Sequence, residues 1–221
     1  MDHTHDNPLT QEWVDAISSF DAEKLDHILD ELPGEFDVNY TDHYGNSAIM
    51  VSLARANLNL TQRLIARGIN VNLRAYDGMS AAHYAARAGN ADIMGWLIGR
   101  GIDINVTNGL GESVLMVAVA SGHAELVDTL LDSGADPIIT DAAGRNALIW
   151  AAISGDVAVL DALLSFGGSD LDFADFDGNT AVIHAAIRNH GELVERLIEF
   201  GADATRTNLA GLSASELMLA Y

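Results

Sequence analysis

Six glycines recur at a nearly fixed interval: Gly45, Gly78, Gly111, Gly144, Gly178 and Gly211, separated by 33, 33, 33, 34 and 33 residues. A period of that length demands a stack of small supersecondary units, because a unit so short cannot cover its own apolar face and must bury it against its neighbours. The residues between the glycines keep the same phase. Two positions after each glycine stands Ser47, Ser80, Ser113, Asn146, Thr180 or Ser213. The side-chain oxygens of these residue types accept from the free N–H groups of a helix's first turn. A short small-and-apolar segment follows, such as Ala81-Ala82-His83-Tyr84-Ala85-Ala86 or Ala147-Leu148-Ile149-Trp150-Ala151-Ala152, in which alanine lets neighbouring helices approach closely. A break comes next, as at Ser121-Gly122-His123 or Ser154-Gly155-Asp156. A second helix then shows helical apolar spacing, as in Leu126, Val127, Leu130 and Leu131 or Leu193, Val194, Leu197 and Ile198. Gly68, Gly101, Gly134, Gly167 and Gly201 close these second helices in positions suited to a left-handed C-cap. The fold predicted is all-α, a solenoid of stacked helix-turn-helix units with hairpin-like loops between them.

Three stretches give the repeat a family likeness. Gly-Met-Ser-Ala-Ala-His-Tyr-Ala-Ala at 78–86 matches G-x-T-P-L-H-x-A-A, Ser121-Gly122-His123-Ala124-Glu125-Leu126-Val127 matches x-G-H-x-E-I-V, and Ser133-Gly134-Ala135-Asp136 and Phe200-Gly201-Ala202-Asp203 match x-G-A-D. These are the signatures of the ankyrin repeat, which the sequence resembles over about residues 40–221. The departures are systematic. The family proline after the cap is replaced by Ala48, Ala81, Val114, Ala147, Ala181 and Ala214, and the family histidine survives only as His83, with Met50, Met116, Ile149 and Ile183 in its place elsewhere. Apolar packing is therefore expected where the family uses histidine hydrogen bonds. One extra residue falls within Gly167-Gly168-Ser169-Asp170-Leu171-Asp172, so that loop is expected to protrude. Asp37-Val38-Asn39 and Asp103-Ile104-Asn105 resemble hairpin asparagines that are hydroxylated in some ankyrin proteins. Asn also simply suits that turn conformation.

The organisation expected is a disordered tail over residues 1–8, an N-terminal capping helix pair over 9–39, and repeats over 40–221 with the last truncated after one helix as a C-terminal cap. Trp13, Val14, Ile17 and Phe20 fit the first helix of the cap and Leu25, Ile28, Leu29 and Leu32 the second, while Asp15, Glu23, Asp26, Asp30 and Glu31 give it the charged outer face that a solenoid end needs.

Charge narrows the function classes. Eleven Lys and Arg against 32 Asp and Glu give −21, a field that repels phosphate backbones and anionic lipid heads and favours a basic protein surface. The absence of cysteine removes disulfides, thiol catalysis and Cys-based metal sites. The first eight residues lack a basic n-region and an apolar h-region, which predicts the cytoplasm. No metalloprotease, phosphate-loop, nucleophile-elbow or dinucleotide fingerprint occurs, and the glycines that could suggest one are the turn glycines of the repeat. His83 reads as a structural histidine on a first helix, and His123 and His190 as residues of inter-helix turns. Met1-Asp2-His3 has the composition of an amino-terminal Cu(II) or Ni(II) chelate.

The ankyrin resemblance implies that one position of each first helix, Val51, Tyr84, Val117, Trp150 and His184, faces a binding groove. Ala54, Arg87, Ala120, Ile153 and Ile187 lie three positions on. His43, Tyr44, Arg74, Tyr76, Leu110, Arg145 and Phe176 belong to the hairpin tips. Aromatic residues and arginine dominate interface energies, so the candidate partner-binding set is Tyr44, Tyr76, Tyr84, Arg87, Arg145, Trp150, Ile153, Phe176 and Ile187. The expected function is a monomeric, non-catalytic protein-binding module with no cofactor and neither nucleic acid nor membrane as ligand, an adaptor or inhibitor of a basic protein. The alternative is an enzyme or metal-dependent protein built on the same scaffold.

Overall fold

A computed structural model describes residues 8–168 and 170–219. The expected tail over 1–7, with Met1-Asp2-His3, lies outside the described residues, as do Ser169 of the long loop and Ala220 and Tyr221. Pro8 of the expected tail is instead the first residue of a helix, where its missing N–H costs nothing.

Thirteen helices run along the described chain, which divides into two compact units at Asp103 and Ile104. Unit 1 holds α1 (Pro8–Ser18), α2 (Ala22–Glu31), α3 (Ala48–Ala54), α4 (Leu58–Ala66), α5 (Ala81–Ala88) and α6 (Ala91–Ile98). Unit 2 holds α7 (Val114–Ala120), α8 (Ala124–Asp132), α9 (Ala147–Ser154), α10 (Val157–Phe166), α11 (Ala181–Ile187), α12 (Gly191–Glu199) and α13 (Ala214–Leu219). No helix among the described residues is long and apolar enough to cross a membrane. No β-strand occurs among them either. The loops close only by isolated antiparallel bridges, Thr41 to Ser47 and Arg74 to Ser80 in unit 1, and Thr107 to Ser113, Ala174 to Thr180 and Thr207 to Ser213 in unit 2.

Within each unit, first helices pack on first helices, α3 on α5 in unit 1 and α7, α9, α11 and α13 in succession in unit 2. The small residues make this possible: Ala82, Ala86, Ala118, Ala151, Ala152, Ala185 and Ala186 are all buried. Met50, Met116, Ile149 and Ile183, in the family's histidine register, are buried too. His83 alone keeps the polar solution. Its Nδ1 accepts from the Ser80 N–H at 3.2 Å and lies 2.9 Å from Ser80 Oγ.

The register of cap residues does its work in two ways. Ser113, Asn146 and Ser213 accept from the N–H groups of Met116, Ile149 and Glu216 at 3.0–3.2 Å. The hydroxyls of Ser47 and Thr180, expected to do the same, are buried without a hydrogen-bond partner among the described residues. The backbone bridge to Thr41 or Ala174 is kept at both, as it is at the capping residues Ser113 and Ser213.

Two sets of contacts join successive loops. At the tips, the Tyr76 N–H donates to Tyr44 O (2.8 Å) in unit 1; in unit 2 Ala142 donates to Leu110, Phe176 to Ala143 and Leu209 to Asp177 (2.8–3.1 Å). At Gly144, φ is +79° and a Cβ would lie 2.7 Å from the Phe176 ring, so both conformation and space require glycine there. At the loop bases, an Asn or Asp oxygen accepts an N–H from the next loop: Asn39 from Asn70, Asn72 from Asp103, Asn105 from Asp136 and Asp172 from Asp203. Asn72 and Asn105 also donate to the carbonyls of Gly101 and Gly134. Ile138 occupies this register in the remaining unit, and the loop it would have joined carries the extra residue. The hairpin asparagines are thus stitching residues.

In the N-terminal pair, Trp13, Ile17, Leu25 and Leu29 are buried and the carboxylates lie outside. Arg67 of α4 donates to the carbonyls of Leu29, Leu32 and Pro33, closing the C-terminus of α2, and Arg63 bonds Asp26 and Asp30.

Leu130 and Leu197 are fully buried in the second helices. Chemical denaturation is expected to show Leu130→Ala and Leu197→Ala each losing about 2–5 kcal/mol, and Ser80→Ala losing about 1 kcal/mol. A cap variant weaker than both leucine variants would contradict this packing.

Candidate interaction surface

The hairpin tips present the most exposed of the expected residues. Tyr76 is 82% exposed, Phe176 73% and Tyr44 61%. Their backbones are fixed by the tip-to-tip bonds above, so large apolar rings stand on a rigid base. The Tyr44 ring also lies 3.8 Å, centroid to centroid, from that of His43.

The tip geometry rests on residues that the sequence reading passed over. Three positions before the hairpin glycine stand Asp42, Asn108, Asp141, Asp175 and Asn208, with Ala75 the exception. In each, Oδ1 accepts two backbone N–H groups of its own tip: Tyr44 and Asn46 for Asp42, Leu110 and Glu112 for Asn108, Ala143 and Arg145 for Asp141, Asp177 and Asn179 for Asp175, Ala210 and Leu212 for Asn208. Their 33-residue recurrence was the signal that could have found them.

In Asp141 and Asp175 the second oxygen reaches the first-helix row. Asp141 Oδ2 accepts from the Trp150 indole N–H at 3.0 Å and from Arg145 Nε at 2.8 Å, and the Arg145 guanidinium lies over the indole, 4.5 Å from the ring. Burial alone would push the Asp141 carboxyl up. The donors from the Arg145 side chain and backbone, Ala143 N–H and the Trp150 indole outweigh it and hold the carboxyl below the usual carboxylate range. One repeat on, His184 Nε2 lies 2.7 Å from Asp175 Oδ2.

In unit 1 the row is carried by Tyr84, half-buried against Met50, Ala75 and Met79 with Leu73 beside it. Its ring faces Phe20 at 6.2 Å and the Arg87 guanidinium at 5.7 Å. Burial pushes its phenol up, with Asp77 adding to the shift and Arg87 opposing it.

The expected surface residues therefore fall in two sets, each within its own unit. Unit 1 carries Tyr44, Tyr76, Tyr84 and Arg87. Unit 2 carries Arg145, Trp150, Ile153, Phe176 and Ile187. Ile187 is exposed, while Trp150, Arg145 and Ile153 are half-buried. Val51 and Val117, expected in the same row, are buried. A valine is too short to reach past its neighbours, so the row is interrupted wherever the residue is small. Among the described residues, no group of three or more His, Asp or Glu side chains is placed to hold a metal ion. His123 and His190 stand at the N-cap positions of α8 and α12 without a side-chain bond to the helix entry, and the His190 ring lies against Gly155, where a Cβ would come within 2.6 Å of it.

This geometry of paired short helices joined by stitched hairpins agrees with the comparison of sequences. A family model described as ankyrin repeats (3 copies) matches residues 15–108 and again 113–208, and one described as ankyrin repeats (many copies) matches residues 92–131. The chain belongs to the ankyrin repeat family. Ankyrin repeats are protein–protein interaction modules and typically non-catalytic. The match begins at residue 15, inside α1, so it takes in the end of α1 and all of α2 along with the repeats that carry the motifs. No curated protein matches the chain significantly.

Because the depressed Asp141 carboxyl contributes stability that is present above the unfolded aspartate range and lost as pH falls through its folded value, acid should erase its contribution. Asp141→Asn, which sets an amide N–H against the Arg145 and Trp150 donors, is expected to cost about 1–3 kcal/mol at neutral pH. The gap to the unaltered protein should shrink as unfolding is followed below pH 4. A constant gap across the titration would show that the carboxylate charge plays no part.

Proposed function

We propose that this ankyrin repeat protein is a non-catalytic binding module that holds a partner protein with a basic surface, as adaptor or inhibitor, in the cytoplasm. Its contacts are the hairpin tips and first-helix rows: Tyr44, Tyr76, Tyr84 and Arg87 in unit 1, and Arg145, Trp150, Ile153, Phe176 and Ile187 in unit 2. The observation that carries this reading is the exposure of Tyr44, Tyr76 and Phe176 on tips whose backbones are already immobilised. A ring on such a base loses little conformational entropy when a partner covers it. The net charge of −21 supports a basic partner, because association is steered by charges of opposite sign and slowed by salt. The same charge argues against nucleic acid and anionic membranes as ligands.

The test begins with capture of partners on the immobilised chain at low and high salt, followed by binding kinetics with the captured protein. Tyr76→Ala and Phe176→Ala are expected to leave the chain folded and to weaken binding by about 2 kcal/mol, chiefly through faster dissociation, with each melt followed because the rings lie over Gly45 and Gly144. Trp150→Ala should weaken it as much, but its melt must be followed because the indole also bonds Asp141. Charge reversal at Asp136 and Asp177, both exposed, should instead slow association and flatten its salt dependence. Asp175, two residues before Asp177, is buried and holds its own tip, so it cannot serve in that measurement. Unchanged binding in both tip variants would place the interface on another face.

A further inference from the structure

The tips that share an Asp or Asn three positions before the hairpin glycine differ in what faces the second polar atom of that side chain. Where the residue is Asp, Oδ2 meets a donor: Asn46 Nδ2 at Asp42 (3.0 Å), Arg145 Nε and the Trp150 indole at Asp141 (2.8 and 3.0 Å), and His184 Nε2 at Asp175 (2.7 Å). At Asn108 the polarity is reversed, and Nδ2 donates to Glu112 Oε2 at 2.7 Å. This tip therefore depends on residue 108 remaining an amide. A carboxylate there would turn the bond into a contact between two like charges.

The same residue is the one asparagine of the chain that is followed by glycine. Asparagine is thermolabile. The backbone nitrogen of the next residue can attack its side-chain carbonyl carbon, and the approach is closest when that residue has no Cβ. At this tip Oδ1 accepts from the N–H groups of Leu110 (2.9 Å) and Glu112 (3.0 Å). Those bonds fold the side chain back over its own backbone and set two donors on the oxygen that gains negative charge during the attack. Gly109 is exposed, so water reaches the reacting atoms. Asn208 is the internal comparison. Its Oδ1 takes the N–H groups of Ala210 and Leu212 at 3.0 Å, but the nitrogen that would attack belongs to Leu209, whose N–H is bound to Asp177 O at 3.0 Å.

We propose that Asn108 is a site of spontaneous deamidation in the folded chain, and that the reaction opens the tip that carries Leu110. The Gly109 nitrogen loses its proton to hydroxide and forms a bond to Asn108 Cγ. The Cγ–Nδ2 bond breaks, and the nitrogen takes a proton from water and leaves as ammonia. Water then hydrolyses the five-membered succinimide at either carbonyl, giving aspartate at position 108 or isoaspartate, whose main chain runs through the former side chain. Each product sets a new negative charge beside Glu112. Isoaspartate also adds a methylene to the main chain, so the N–H groups of Leu110 and Glu112 no longer meet one oxygen. Leu110 O accepts from the Ala142 N–H at 2.8 Å, so a change in this tip is passed to the next one in unit 2.

Incubation of the full chain in mildly alkaline buffer tests this, with peptide mapping by mass spectrometry and enzymatic methylation of isoaspartate as readouts. The amide-to-acid mass gain should appear first in the peptide that holds Asn108, with isoaspartate in part of it. Its rate should rise with hydroxide concentration while Asn208 stays intact. Gly109→Ala should slow the reaction at Asn108 about tenfold, because the added Cβ hinders the approach. The consequence is read separately by melting. Asn108→Asp should lower the melting temperature, and adding Glu112→Gln should restore it, since an amide at position 112 supplies a donor as Asn46 does for Asp42. Modification of Asn108 no faster than of Asn208, or only once urea has unfolded the chain, overturns the proposal. So does an Asn108→Asp chain as stable as the unaltered protein.

Discussion

Helices of six to eleven residues have too little surface to bury an apolar face alone, so each repeat depends on how closely its neighbour can come. The closest approach is made by backbone at the hairpin tips. At Gly45, Gly111, Gly144 and Gly178 a left-handed glycine turns the tip, and the following tip lays its own backbone or ring where a side chain would have stood, as Phe176 does at Gly144. That contact sets the spacing between first helices, and the spacing explains the alanines. Side chains longer than Ala118, Ala151 or Ala185 would hold apart helices that the tips pull together.

The same hairpins link stability to the binding surface. An Asp or Asn three positions before the glycine spends one oxygen on its own tip backbone, and Asp141 and Asp175 spend the other on a first-helix side chain. Trp150 therefore has its indole N–H satisfied and its ring sandwiched by Arg145 before any partner arrives. It is a pre-organised residue whose loss would disturb both fold and binding, unlike Tyr76 and Phe176, whose rings stand mostly in water.

Electrostatics acts at two ranges. At long range the acidic total favours basic partners and keeps most faces of two copies apart. At short range the arginines Arg63, Arg145 and Arg196 are paired with carboxylates on neighbouring repeats or turns.

The 33-residue phase of glycine, cap and apolar residues was enough to give the helix order, the turns and the family, because helix entry, helix exit and left-handed turns are local properties of a few residues. The charge sign and the exposed tip aromatics were legible for the same reason. What only the tertiary structure decided depends on neighbours. Val51 and Val117 share the register of Tyr84 and Trp150 but are buried, because surrounding helices and side-chain length set exposure. Ser47 and Thr180 carry cap-type hydroxyls that are buried and accept nothing among the described residues, although Ser113 and Ser213 in the same register do. Asp175 looks like a surface carboxylate and is buried beneath its own tip. Leu219 shares a register with the buried Leu53, Ala86, Val119, Ala152 and Ala186 and stands exposed, because burial there comes from surrounding elements and not from the helix that carries the residue.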